Sequence, residues 1–354
     1  MPDLVVAGAG MAGLVAAAEA RRLGAEPLLL EKLDRAGGAM RLSSGVVWRH
    51  REFERFRAEC QGGDAQIQRL VFERIDADVR WLESIGAPVV VRGTGNPLTT
   101  GTRFEPDGLT AALEAVAGPV RTGTPLTSHD GGPPLVLATG GFAASQELLR
   151  EHVTPEAEHV FLRAPSGATG DGLRVGLAAG ADAAAGLDEV YARAMPAPPA
   201  RIGERDLVRL SQLYARHAHV TNEHGERFET ATWSEIDVAQ WMVRQPRARA
   251  WFRVSAAALS ERVRERTVGE MVEAAERAGA PVRKEGEQVV VETVAGVTTT
   301  LGGLRVDEAA RAAPGVFACG ADAGGVATGG YASGLAAALV LGRIAARAAL
   351  GETP

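Results

Sequence analysis

The stretch Asp3–Glu31, DLVVAGAGMAGLVAAAEARRLGAEPLLLE, decides how the rest of the chain is read. Asp3–Ala7 is short and apolar, as a buried strand is. Gly8-Ala9-Gly10-Met11-Ala12-Gly13 follows, then a helical run to Leu23 that Gly24 ends. Pro27–Leu30 is a second apolar strand, finishing at Glu31. This is a complete βαβ unit rather than an isolated GxGxxG. Gly8 makes the turn, Gly10 lets the backbone approach a pyrophosphate, and Gly13 lets helix and strand pack closely. Glu31 stands 18 residues after Gly13, where a carboxylate accepts from ribose hydroxyls. The spacing predicts a dinucleotide site that includes Met11 and Ala12; the competing reading is an ordinary βα turn.

Composition sets the outer bounds. At 354 residues the chain holds one large domain or two ordinary ones. An apolar fraction of 46% with 23% charged residues is that of a soluble globular protein. A net charge of −6 gives no reason to expect nucleic acid or an anionic membrane as partner. Two cysteines, Cys60 and Cys319, make neither a disulfide framework nor a CxxC pair, so a reducing, cytoplasmic setting is expected and no metal site. MPDLVVAGAG has no basic segment ahead of its apolar run and does not read as a signal peptide. No apolar run approaches the roughly 20 residues of a membrane helix. The 43 glycines fit close backbone packing around a flat or phosphate-bearing group, and equally GC-rich codon usage.

After Glu31 comes Lys32, and then Gly37-Gly38-Ala39, a second glycine pair, followed by Arg41-Leu42-Ser43-Ser44-Gly45. This extension resembles the fumarate reductase and succinate dehydrogenase flavoprotein superfamily, which includes the 3-ketosteroid and tricarballylate dehydrogenases. Four further segments carry the resemblance: Ala138-Thr139-Gly140-Gly141-Phe142, Thr169-Gly170-Asp171-Gly172, His219–Phe228 (HVTNEHGERF) and Thr298–Asp307. It implies an α/β fold: a Rossmann-like FAD-binding domain over 1–185 and 298–354, and an inserted α+β cap over 186–297. Relatives carry a β-meander before the ATGGF strand. Here only Thr127–Pro134 separates a strand at Val120–Leu126 from Leu135, so the meander is trimmed. Other expected elements are helices over Arg51–Gln61, Asp64–Ile85 and Leu109–Ala117, strands at Val89–Val91 and Gln288–Thr293, and a polar loop over Asn96–Phe104.

The segment Pro314–Ala345 completes the expected site. It reads as a strand at Val316–Cys319, a glycine-rich turn, and a helix from about Ser333. By the resemblance, Gly320 and Asp322 lie along the ribityl chain, and Ser333, Gly334 and Leu335 present helix N–H groups to the isoalloxazine. Such a helix start favours negative charge. The resemblance also makes Tyr331 a donor to a substrate carbonyl, while packing against the flavin or cap is the alternative. In the cap, Tyr191, Arg193, Arg216, His217 and His219 are candidates, with Arg193 a carboxylate clamp and His219 a proton carrier. His50, His129 and His152 read as surface residues. The Glu and Arg that fumarate reductases carry after GERF fall here on Ala231 and on Ser234 or Glu235, so that proton path is absent. No histidine lies in RLSSG, so the flavin is expected to be non-covalent. No second GxGxxG unit and no haem or iron–sulfur motif occurs. The electron partner is therefore a diffusible acceptor or donor, O₂ or another protein, left unidentified. The expected reaction dehydrogenates, or reduces, a C–C bond beside a carbonyl or carboxylate of a small molecule. A flavin oxidase or monooxygenase tailoring a natural product, and a non-enzymatic electron-transfer module, are the alternatives.

Overall fold

In the computed structural model, which describes residues 1–129 and 131–353, the chain divides into two compact units. The first comprises Met1–Ser145, Ala164–Glu189 and Thr299–Pro354; the second comprises Gln146–Arg163 and Val190–Thr298. Residues 146–163, grouped with the first segment in the sequence reading, cluster with the second unit because Phe161–Leu162 pairs in parallel with Gly296–Val297.

The first unit is built on β1 (Leu4–Ala7), α1 (Met11–Arg22) and β2 (Pro27–Leu30), the βαβ unit of the opening stretch. After it come α2 (Gly38–Arg41), β3 (Val46–His50), α3 (Phe53–Glu59) and α4 (Ala65–Ser84). Next are β4 (Val89–Arg92), β5 (Thr99–Phe104), α5 (Pro106–Ala117), β6 (Val120–Arg121) and β7 (Leu135–Leu137). α6 (Asp171–Ala178), β8 (Arg311–Ala313), β9 (Val316–Ala318) and α7 (Gly334–Ala349) complete the unit. The six strands of the main sheet run β8-β9-β7-β1-β2-β6, parallel throughout except for β8 on β9. Val5 of β1 stands opposite Leu28 on one side and Leu135 on the other. These strands are near-continuous apolar runs because helices cover them, as parallel sheets require.

Two sequence expectations change in this unit. Asn96–Phe104 is not a loop: Thr99–Phe104 forms β5, central in an antiparallel β3-β5-β4 sheet. Threonines at this position serve as strand residues, with Thr99, Thr102 and Phe104 buried. The strand expected over Val120–Leu126 is only Val120–Arg121, and no strand lies among the described residues between it and β7.

Helix packing uses small residues and one charge cluster. A Cβ on Gly342 of α7 would come within 2.6 Å of the Ala12 carbonyl oxygen of α1, so the helices touch backbone to backbone there. Farther along, fully buried Glu19 of α1 accepts from Arg22, Arg343 and Arg347, and Arg343 also pairs with Asp78 of α4. The Arg343 guanidinium lies 4.9 Å from the Trp81 ring centroid. α4 starts on Asp64, whose carboxylate caps the Gln66 and Ile67 N–H groups at 2.8 and 3.1 Å.

The second unit is a mixed sheet around one long strand. The sequence reading places that strand over Gln288–Thr293, but it runs thirteen residues, Gln288–Thr300. It pairs antiparallel with Arg249–Ser255 and with Val282–Glu285. The polar Thr298–Thr300 tail, read as the way back to the first unit, is strand because β-branched threonines suit an extended backbone.

Candidate functional site

The glycine loop after β1 is shaped by close approaches that exclude side chains. Gly8 has φ of 102°, and a Cβ there would come within 2.2 Å of the Ala138 carbonyl oxygen. A Cβ on Gly13 would come within 1.7 Å of the Gly8 oxygen. Gly10 differs, because nothing in the protein lies within 4 Å of where its Cβ would be. No side chain caps α1, whose first residues Met11 and Ala12 are buried. An open glycine at an uncapped helix start is a backbone cradle for a phosphate.

The second glycine pair closes on the first. The Gly37 N–H donates to the Ala9 oxygen at 2.8 Å, Gly10 and Gly37 form a parallel bridge, and Gly38 packs on the Gly10 Cα. Glu31, buried at the end of β2, accepts from the Ala9 and Leu33 N–H groups, each at 2.8 Å. Its neighbour Lys32 donates to Thr169 Oγ1 at 2.5 Å and to Asp171 at 2.9 Å. Thus Lys32 and Asp171, 139 residues apart, meet. Gly170, left-handed with φ of 86°, caps α6, and Asp171 is its first helical residue. Ala39 is exposed; Ser43 Oγ donates to the Met40 oxygen and accepts from Gly45 N–H, and the Ser44 carbonyl accepts from Arg103.

On the opposite strand ends, Asp322 anchors the turn after β7. It accepts from the Thr139 N–H, from Thr139 Oγ1 at 3.1 Å and from the Gly141 N–H at 3.0 Å. Burial pushes its carboxyl up, and those three donors oppose the shift. Gly140 and Gly141 are both left-handed, at φ of 96° and 72°. Gly320, at φ of 63°, lies against Ala12. Three protein donors thus fix the carboxylate of Asp322, the residue the resemblance places along the ribityl chain, and Oδ2 takes only one of them.

Ser333 begins α7: its Oγ accepts from Ala336 N–H at 3.2 Å and from the Trp48 N–H at 3.4 Å. Gly334 is exposed, with nothing within 4 Å of its Cβ position, and Leu335 follows half-buried. Tyr331 is half-buried, its ring 5.2 Å from Trp48. His50, read from the sequence as a surface residue, is 1% exposed. Its Nε2 lies 3.4 Å from the Tyr331 oxygen, and its ring stacks on Phe56 at 5.5 Å. Trp48 and His50 alternate along β3 onto one face. That alternation, with an aromatic and a histidine two apart, is the signal that marks His50 as internal. His129 and His152, also read as surface residues, are half-buried.

In the second unit, Arg193 is buried, donating through Nε to Tyr191 Oη at 2.9 Å and through a terminal nitrogen to the Ser234 oxygen. Glu235, left-handed at φ of 56°, accepts from the Ala215 and Arg216 N–H groups at 3.0 and 3.2 Å. His219 is exposed on the strand His219–Thr221 and is not part of this buried cluster; Arg216 is exposed and His217 half-buried. Among the described residues no cluster of His, Cys, Asp and Glu could hold a metal ion.

The glycine cradle has its counterpart in known proteins. A family model described as an FAD binding domain matches residues 3–131 and 111–336. The chain belongs to the FAD binding domain family. Its cofactor is FAD. Gly10 and Gly334, at the starts of α1 and α7, each leave open space where a side chain would stand. Among solved structures, the chain is similar to a flavocytochrome c3 fumarate reductase in its open conformation, with TM-score 0.72 and 21% identity, covering 99% of this chain and 78% of that one. It is similar to a 3-ketosteroid Δ1-dehydrogenase from Sterolibacterium denitrificans, with TM-score 0.75, 16% identity and 99% of both chains covered. A 3-ketosteroid-Δ4-(5α)-dehydrogenase from Rhodococcus jostii RHA1 has TM-score 0.70 and 19% identity, covering 99% of this chain and 96% of that one. No curated protein compared by sequence matches. At these identities the likeness is one of fold, and the FAD binding domain here is the α/β type with helices on a parallel sheet.

Proposed function

We propose that this FAD binding domain protein is an oxidoreductase that dehydrogenates, or in reverse reduces, a C–C bond next to a carbonyl or carboxylate of a small molecule. The observation that carries the reading is the glycine cradle, open at Gly10 and Gly334, with the Tyr331 phenol just ahead of α7. Bound FAD supplies the two-electron acceptor or donor. Gly8–Gly13 hold its pyrophosphate on the N-terminus of α1. Glu31 keeps lone pairs on both oxygens for the ribose hydroxyls, beside its bonds to Ala9 and Leu33. Lys32, Gly37–Ala39, Ser43–Gly45, Thr139–Gly141, Asp171 and Gly320 line the rest, and Asp322 holds the Thr139–Gly141 turn in place. The N–H groups of Gly334 and Leu335 favour negative charge at the redox end.

Tyr331 donates a hydrogen bond to the substrate carbonyl and so acidifies the neighbouring C–H. Arg193 braces the second unit through two of its five donors, to Tyr191 and Ser234, and its remaining N–H groups are those that would clamp a substrate carboxylate. Ser234 and Glu235 are likewise engaged internally, which supports a substrate other than fumarate. The flavin is non-covalent: RLSSG has no histidine, and His50 is enclosed by Phe56, Trp48 and Tyr331. Both cysteines are buried and unpaired, which suits a reducing, cytoplasmic setting. The electron partner is a diffusible acceptor or donor, O₂ or another protein. Among the described residues no helix is long and apolar enough to cross a membrane.

The test is anaerobic titration of the yellow holoprotein with saturated carboxylates, enones, cyclic ketones and 4-androstene-3,17-dione. The dehydrogenase reading expects at least one saturated or partly saturated member to bleach the flavin, or an unsaturated one to reoxidise it. If no member does either, the dehydrogenase reading fails and the electron-transfer reading gains. Exchange of Tyr331 for Phe should slow the responsive reaction at least about a hundredfold, the low end for a lost general acid; unchanged turnover returns Tyr331 to packing.

A further inference from the structure

The segment that carries Tyr331 is gripped on two sides. A Cβ on Gly330 would come within 1.7 Å of the Glu59 oxygen at the end of α3, and one on Gly329 within 3.0 Å of Gly62 N. On the other side, β3 reaches it twice. The Trp48 N–H donates to Ser333 Oγ, and His50 Nε2 faces the Tyr331 oxygen. A carbonyl only accepts, so the contact needs a proton on Nε2. That leaves Nδ1 as an acceptor, and it is a buried nitrogen with no protein partner.

We propose that His50 is a positioning residue, a neutral Nε2–H imidazole that holds the Tyr331 carbonyl and thereby sets the Tyr331 phenol and the start of α7 relative to the flavin. The inference rests on the flavin reading above and assigns the part of it that the glycine cradle does not. His50 does not touch substrate: it is 1% exposed, enclosed by Phe56, Trp48 and Tyr331. Burial and the charge of Arg55 hold its pKa below the usual histidine value, against the Tyr331 carbonyl, so it stays uncharged at neutral pH. The aromatic surroundings alone would accept a phenyl ring; the Tyr331 carbonyl would not. This separates a positioning role from packing.

Two variants and one measurement on the parent protein test it. His50→Phe keeps the stacking and removes the donor; His50→Gln restores an N–H of similar reach. Hydrogen exchange of the FAD-loaded proteins should be about fivefold faster in 329–336 of His50→Phe, the scale of one lost hydrogen bond. Exchange in the rest of α7 should match the parent, and His50→Gln should restore 329–336. The flavin midpoint potential should shift in His50→Phe and return in His50→Gln. Independently of any variant, ¹⁵N NMR of the histidines at neutral pH should show His50 as the Nε2–H tautomer. Parent-like exchange and potential in His50→Phe, or an Nδ1–H tautomer, overturns the proposal while leaving FAD binding untouched. A parent protein that takes up no FAD overturns both.

Discussion

At the scale of single residues, the glycines of the first loop fall into two kinds, and substitution should separate them. Gly13 is required by the fold, since a Cβ would strike the Gly8 oxygen at 1.7 Å. Gly10 has open space where a side chain would stand, and the proposed reading gives that space to the ligand. Gly10→Ala should cost the apoprotein no more than about 1 kcal/mol, the scale of an N-cap preference, yet yield colourless protein, while Gly13→Ala should cost more. Equal loss of stability in both variants, measured by urea unfolding, would remove the ligand argument from Gly10. His50 adds a pH effect with a definite sign. Its folded-state pKa lies below the usual histidine value of about 6.5, so the unfolded state takes up the proton first. Its contribution is therefore complete above the unfolded pKa and lost as pH falls from about 6.5 toward the lowered value. His50→Phe should flatten the parent's loss of stability across that window; an unchanged slope contradicts it. The sequence made the glycine loop, Glu31 and the helix start near Ser333 readable because each is a local pattern. Asp322 and His50 were not readable in the same way, since their partners lie 181 and 281 positions away.

At the scale of elements, Arg343 joins α7 to α1 through Glu19 and to α4 through Asp78, and the adjacent Gly342 sets α7 against the α1 backbone at Ala12. Glu19 is fully buried among arginines, and its carboxyl lies below the usual range: burial raises it, but Arg22 and Arg343 win. Glu19→Gln should cost about 3–5 kcal/mol, the range for removing one partner of a buried ion pair, and chemical denaturation measures it. A cost under 1 kcal/mol would mean the arginines find other partners. Because the Glu19 pKa is depressed, its stabilisation is present above the unfolded value and lost as pH falls through the folded one. At the Gly342 contact, Gly342→Val should cost about 1–3 kcal/mol by overpacking, since the atom in its way is backbone. Periodicity and caps made α1, α4 and α7 legible from sequence. β5 was misread because threonine and glycine look like loop until a neighbouring strand is known, and β strength depends on such context. The thirteen-residue strand Gln288–Thr300 was cut short in the reading for the same reason.

At the scale of the whole molecule, the chain is an FAD binding domain that holds a second compact unit within its sequence. The order of GxGxxG, ATGGF, TGDG and the final helix was legible because those segments resemble a known flavoprotein family, and the FAD binding domain match runs from the first of them to the start of that helix. Substrate identity was not, because it depends on side chains such as Tyr331 and Arg193 whose spacing follows no local rule. The central claim is that the cradle holds FAD without a covalent bond. The direct measurement is the visible spectrum of the purified protein, followed by acid precipitation and identification of the released flavin. The protein should be yellow with an oxidised-flavin spectrum, and acid should leave a colourless pellet and FAD in the supernatant in roughly one-to-one ratio with chain, as a single tight site requires. Protein that is colourless and takes up no FAD on reconstitution, or a pellet that keeps its flavin, would contradict it.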